Sequence, residues 1–167
     1  MMMHKPHLFT IGAYGFAADS FFAALQQAHV DTFCDIRRRR GVRGAEYAFA
    51  NSQRLQQRLA ALGIHYIYRQ ELAPSIAIRH AQYAVDAQQK VTKRQRTELS
   101  SAFVDAYTAE CLQRLDAQQL LTEFPADARN IAFFCVERDP AACHRSLLVA
   151  YLANALDLAV THLTPSQ

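Results

Sequence analysis

The sequence predicts an α/β protein: one Rossmann-like, three-layer domain over residues 1–167, with a largely parallel sheet of about five strands. Three observations carry that expectation. Short apolar runs rich in β-branched and aromatic residues alternate with stretches of helical periodicity. Parallel neighbours need crossover connections, and the intervening helices supply them. Right-handed crossovers then wind helices onto both faces of the sheet. The length of 167 residues suits one domain, and a hydrophobic content of 51% is ample for one core.

The first strand is His7-Leu8-Phe9-Thr10-Ile11-Gly12, short, apolar and stopped by a glycine. Asp19 or Ser20 is placed to cap the helix that follows, in which Phe21, Phe22, Leu25 and Ala28 recur at helical spacing. The second strand runs from Val30 to Arg37. Asn51 or Ser52 caps a second helix with Leu55, Leu59 and Leu62 on one face, and Gly63 falls where a left-handed residue ends a helix. Ile64 to Tyr68 is the third strand. Residues 74–96 turn polar, Gln-rich and basic, which reads as an insertion or a lid. A long helix is expected from about Glu98, with Leu99, Phe103, Tyr107 and Cys111 four apart and Leu112 and Leu115 extending the stripe until Pro125. Asn130 to Val136 is the clearest buried strand. Asp139-Pro140 reads as the cap and first position of the last helix, whose core stripe is Leu148, Tyr151, Leu152, Ala155 and Leu156. Ala159 to Leu163 closes the sheet.

Eighteen Lys and Arg against 15 Asp and Glu give a formal charge of +3, too mild to demand a polyanionic partner by itself. Its distribution says more. Arg37, Arg38, Arg39, Arg40 and Arg43 place five cations in seven positions, and Lys90, Lys93, Arg94 and Arg96 form a second cluster. No apolar run approaches the ~20 residues that span a bilayer. The opening Met1-Met2-Met3-His4-Lys5-Pro6-His7 lacks the apolar stretch of a secretory leader. A soluble, cytoplasmic protein with no membrane partner is therefore expected. None of the four cysteines, Cys34, Cys111, Cys135 and Cys143, has C-x-x-C spacing, so neither a zinc knuckle nor a redox motif is signalled.

Ligands of open parallel sheets bind beyond the carboxyl ends of the strands, near the point where the strand order reverses. Those ends present Thr10, Gly12 and Tyr14, then Asp35 and Arg37, then Tyr68 and Glu71, then Cys135, Glu137 and Arg138. Cys143, His144 and Arg145 follow at the start of the last helix. These words (Phe9-Thr10-Ile11-Gly12, Asp35-Ile36-Arg37, Tyr68 with Glu71-Leu72, Cys135-Val136-Glu137 and Cys143-His144-Arg145-Ser146) resemble the DUF488 family, a domain of unknown function, from Leu8 to Leu163. The Cys-x-Glu and Cys-His-Arg words are the most specific part. The chain departs from the family's usual pattern in two places. Ala13-Tyr14 stands where a His usually follows the first Gly, and Glu71-Leu72-Ala73-Pro74 stands where Leu-Gly-Gly is common. The resemblance implies a compact α/β fold with a shared polar site and no established reaction.

Each site residue admits a functional and a structural reading. The N-terminus of a helix stabilises phosphate, carboxylate or thiolate, and Arg145 adds a bidentate donor, which makes Arg37, His144 and Arg145 anion-binding candidates with Thr10, Gly12 and Glu71. Asp35 and Glu137 at neighbouring strand ends suit acid–base work; the structural alternative is charge compensation, Asp35 with Arg145 and Glu137 with Arg37. Cys143 and Cys135 are candidate nucleophiles, although the apolar strand around Cys135 favours reading it as a small buried hydrophobe. The sixth residue after Cys135 is Ala141, so the Cys-x5-Arg loop of tyrosine phosphatases is missing. Cys135, Glu137, Cys143 and His144 are zinc-type ligands. Read as adjacent helical positions, however, Cys143 and His144 diverge by about 100 degrees, so no metal site is expected. Gly12-Ala13-Tyr14-Gly15 lacks the third glycine of a dinucleotide fingerprint, and no cofactor is expected. The sequence thus predicts a small enzyme acting on a phosphate-bearing small molecule or nucleic acid. The alternative is a non-catalytic nucleic-acid-binding or regulatory module using the arginine loop, with Tyr47 and Phe49 stacking on bases.

Overall fold

The computed structural model describes residues 4–166. Met1, Met2 and Met3, the first residues of the stretch read as lacking a leader, lie outside them. The strands are β1 (His7–Ile11), β2 (Thr32–Asp35), β3 (His65–Tyr68), β4 (Asn130–Phe134) and β5 (Val160–Leu163). They form one sheet in the order β3-β2-β4-β1-β5, with every neighbouring pair parallel. The expected α/β architecture is therefore present, and helices cover both faces.

Alternation along each strand builds two cores. Phe9, Ile11, Phe33, Ala132 and Phe134 face the helices α1 (Ala18–Gln27) and α2 (Ser52–Ala61), meeting Phe21, Phe22, Leu25, Leu55 and Leu59. Leu8, Cys34, Ile131 and Phe133 face the other way. They pack under α3 (Ile76–Gln88), α4 (Ser101–Glu110), α5 (Ala117–Thr122) and α6 (His144–Leu156), through Ile78, Phe103, Tyr107, Leu120, Leu148 and Leu152.

Local details depart from the sequence reading. Helix α1 is capped at Ala17, not at Asp19 or Ser20. Ser20 acts from inside the helix, accepting from the Ala17 amide at 3.0 Å and donating to its carbonyl at 3.1 Å. Asn51 sits at the cap position of α2, but its side chain accepts from the Val42 amide at 2.7 Å and so ties down the arginine loop instead. Gly63 has φ of 72°, the left-handed conformation expected of it. The polar stretch 74–96 contains α3, capped by Ser75. The long helix expected from Glu98 begins after a Ser100 cap and stops at Glu110. Leu112–Arg114 is a separate 3₁₀ turn, and α5 follows. Asp139-Pro140 does not open the last helix: Pro140–Ala142 is a 3₁₀ turn, and Cys143 in extended conformation is the N-cap of α6, its Sγ accepting from the Arg145 amide at 3.5 Å.

Candidate functional site

Strands β2 and β4 are neighbours whose connections leave in opposite directions. From β2 the chain runs outward over one face through α2 to β3. From β4 it crosses beneath β1 on the other face through α6 to β5. Splayed connections of this kind open a crevice at the carboxyl end of the sheet. Here the crevice is a cavity of about 520 Å³. Its walls are the loop after β2 (Arg37 to Arg43), the segment after β4 (Cys135 to Glu137), the mouth of α6 (Ala142 to His144), and a third wall from α3 and residues 92–96.

Of the ten residues singled out from sequence, five line this cavity: Arg37, Cys135, Glu137, Cys143 and His144. The other five are placed elsewhere for identifiable reasons. Thr10 faces the far side of β1 and hydrogen-bonds His162 Nδ1 at 2.6 Å. At Gly12 an added Cβ would overlap the carbonyl oxygen of Glu137, so this glycine allows two backbone segments to touch. Asp35 is fully buried and saturated: Arg37 donates Nε to Oδ1 at 2.8 Å and Nη2 to Oδ2 at 2.7 Å, and the Tyr66 hydroxyl donates to Oδ2 at 2.7 Å. Glu71 is exposed and lies 3.7 Å from Arg69. Arg145 is fully buried, with Nη1 on the Glu137 carbonyl at 2.7 Å and Nη2 on the Arg138 carbonyl at 3.2 Å. The expected pairings of Asp35 with Arg145 and Glu137 with Arg37 are thus replaced. Asp35 takes Arg37 from its own strand end, and Glu137 takes cations from a distant segment.

That segment is what sequence reading missed. Glu137 Oε1 accepts from Arg96 at 3.2 Å and lies 3.5 Å from Lys93. Arg96 also reaches Asp86 on α3 at 2.7 Å, and Asp86 accepts from Gln82 at 2.9 Å. Burial alone would raise the Glu137 pKa. Lys93 first, then Arg96 and His144, more than reverse it and hold this carboxyl well below the usual range. Glu137 is thus a permanent acceptor near neutrality and a weak proton shuttle. The Cys143 thiol beside Cys135, together with burial, pushes the Cys135 thiol well up, so Cys135 stays protonated near neutrality. Members of both basic clusters, all but Arg40 and Lys90, line one pocket. Arg94 stacks on Tyr14 and Tyr47 at 5.0 and 5.1 Å and donates to the Arg43 carbonyl at 2.9 Å, which ties the third wall to the arginine loop.

The charge around the cavity is lopsided. Eight lining residues are cationic and one, Glu137, is acidic. Four of those cations, Arg38, Arg39, Arg43 and Arg79, meet no carboxylate among the described residues. Opposite them, Cys143 leaves the 3₁₀ turn in extended conformation and brings its Sγ to 3.8 Å from His144 Nδ1. The divergence expected of adjacent helical residues does not arise, because Cys143 is not helical.

A family model, Domain of unknown function DUF488, matches residues 17–152. The chain belongs to the DUF488 family. The match spans both the arginine loop and the Cys-His-Arg word, so every residue lining the cavity except Tyr14 lies on chain the family shares. No curated protein and no solved structure matches the chain. Among the described residues no helix is long and apolar enough to cross a membrane.

Proposed function

We propose that this DUF488 protein is an enzyme that binds a phosphate-bearing substrate, a nucleotide or a nucleic-acid segment, in the cavity between the ends of β2 and β4. The observation that carries the reading is the charge of that cavity: eight cations around one carboxylate, four of the cations without an acidic partner among the described residues. Guanidinium groups match phosphate oxygens in pairs, and a concave site strengthens each contact by excluding water. Arg38, Arg39, Arg43 and Arg79 are the anion contacts. Tyr83, exposed on the same wall, offers a ring for a base. Glu137 accepts a hydrogen bond from a substrate hydroxyl or amine, and Cys143 with His144 forms the reactive pair facing the anion.

Two of these cations can be removed without touching the fold, because Arg39 and Arg43 are exposed and make no side-chain hydrogen bond or ion pair among the described residues. Nucleotides and a short single-stranded oligonucleotide are expected to raise the melting temperature of the wild type. The double variant Arg39→Ala, Arg43→Ala should keep the unliganded melting temperature and bind at least about tenfold more weakly. Equal affinity in the double variant would refute the assignment. Binding with no turnover of any nucleotide tested would favour the alternative of a non-catalytic nucleic-acid-binding or regulatory module, which the exposed rim position of Arg39 and Arg43 also suits.

A further inference from the structure

We propose that Cys135, Cys143 and His144 bind a single zinc ion, with the fourth coordination position open to the cationic cavity. The inference goes beyond the anion reading, depends on it only for what the ion would act upon, and makes Cys143 and His144 ligands of the ion in place of a free reactive pair.

The donor atoms of the three side chains lie within 4.8 Å of one another, and all three residues are buried. A tetrahedral zinc site, with bonds of about 2.3 Å to sulfur and 2.0 Å to nitrogen, separates its ligand atoms by roughly 3.5–3.8 Å. The Cys143 Sγ to His144 Nδ1 distance is already 3.8 Å. The backbone explains how adjacent residues converge. Cys143 is an extended cap residue and His144 opens the helix, so their side chains are not bound to helical spacing. Cys135 arrives from the end of β4, one residue past the last ladder position.

The imidazole is set for this role. His144 Nε2 donates to the Ile36 carbonyl at 3.1 Å, which leaves Nδ1 as the lone-pair nitrogen facing the sulfurs. Metal-bound histidines characteristically anchor their second nitrogen in this way. The Arg145 amide donates to Cys143 Sγ at 3.5 Å, a contact that stabilises a thiolate. Two thiolates and a neutral imidazole also cancel the charge of a divalent ion, so the loaded centre adds no positive charge to a cavity that is already cationic. The soft donor set selects zinc over magnesium or calcium.

A separate observation points to the open position. Glu137 Oε2 is buried with no hydrogen-bond partner among the described residues, although Oε1 of the same carboxylate is paired. Glu137 lines the same cavity as Cys135, Cys143 and His144. A water on the ion's fourth position would meet this acceptor.

The test uses the full chain, stripped with a chelator and kept reduced. Titration with cobalt(II) is expected to give thiolate-to-cobalt charge-transfer absorption that saturates at one ion per chain and is displaced by zinc(II). Cys143→Ser keeps a good helix cap and so should fold. It is expected to lose most of the band and weaken zinc binding by more than the roughly 100-fold that loss of a supporting group costs. Cys135→Ser should behave alike. A folded, fully reduced wild type that gives no such band, or a Cys143→Ser chain with undiminished band and affinity, would overturn the proposal. Nucleotide-induced thermal shift in the same metal-stripped chain reads the anion assignment separately, so failure of one reading is not failure of the other.

Discussion

Arg145 has the largest fully buried side chain among the described residues, and no carboxylate meets it. Its two terminal nitrogens hold the carbonyls of Glu137 and Arg138, so the guanidinium fastens the bend on which Glu137 stands. This is a positioning role, one that an arginine in a functional-looking word conceals from a sequence reader. Arg145→Met should leave the buried Glu137 carbonyl without its donor, at about 1–3 kcal/mol, and the part-buried Arg138 carbonyl at less, and lower unfolding stability by roughly 1–4 kcal/mol in a urea titration. A change under about 1 kcal/mol would show that the bend holds itself. Asp35 teaches the same lesson on the opposite face, where Tyr66 completes its shell. Burial first, then the Asp35 charge, pushes the Tyr66 phenol up to about 12. Between its ordinary value of 10.0 and about 12 the folded chain keeps a proton that the unfolded chain has lost. The Tyr66 contribution is therefore whole below pH 10 and fades as pH rises through that window. Tyr66→Phe should flatten the fall of melting temperature across it; an unchanged slope would place the late-titrating group elsewhere.

Elements were legible from sequence to the degree that burial and backbone geometry speak the same language. The five strands were read to within a residue or two at most ends, because the apolar runs that named them fill both sheet faces. Helix α3 was not read, because part of its buried face is polar: Gln82 and Asp86 are both buried, bonded to each other and to Ser100 and Arg96. A hydrophobic pattern cannot register a helix that packs through hydrogen bonds. The opposite failure lengthened α4. Leu99, Phe103, Tyr107, Leu112 and Leu115 all belong to one core, so the stripe continues although the helix does not. Periodicity reports which side chains are inside, not which carbonyl each amide bonds. At Cys143 the error mattered chemically, since treating a cap residue as helical separated two donors that in fact lie side by side.

At the scale of the molecule, the site follows from topology more than from any motif. The order β3-β2-β4-β1-β5 makes the ends of β2 and β4 neighbours, which brings residues a hundred positions apart in sequence to one crevice. That half of the cavity could be anticipated, because a parallel sheet presents its strand ends together. The half supplied by α3 and residues 92–96 could not, since nothing local in a polar segment says which edge it will fold across. Its effect is to set two basic clusters facing each other, so that charge modest over the whole chain is concentrated in one concave place. The consequence is quantitative. If a single strand of nucleic acid sits on Arg38, Arg39, Arg43 and Arg79, four phosphate contacts give a slope of log affinity against log salt of about −2.8. Removing Arg39 and Arg43 together should bring it to about −1.4, with nearly sequence-independent loss of affinity. Fluorescence anisotropy of a labelled oligonucleotide across a salt series measures both slopes. A slope near zero in the wild type, or one that the double variant leaves untouched, would mean that the nucleic acid binds elsewhere than in this cavity.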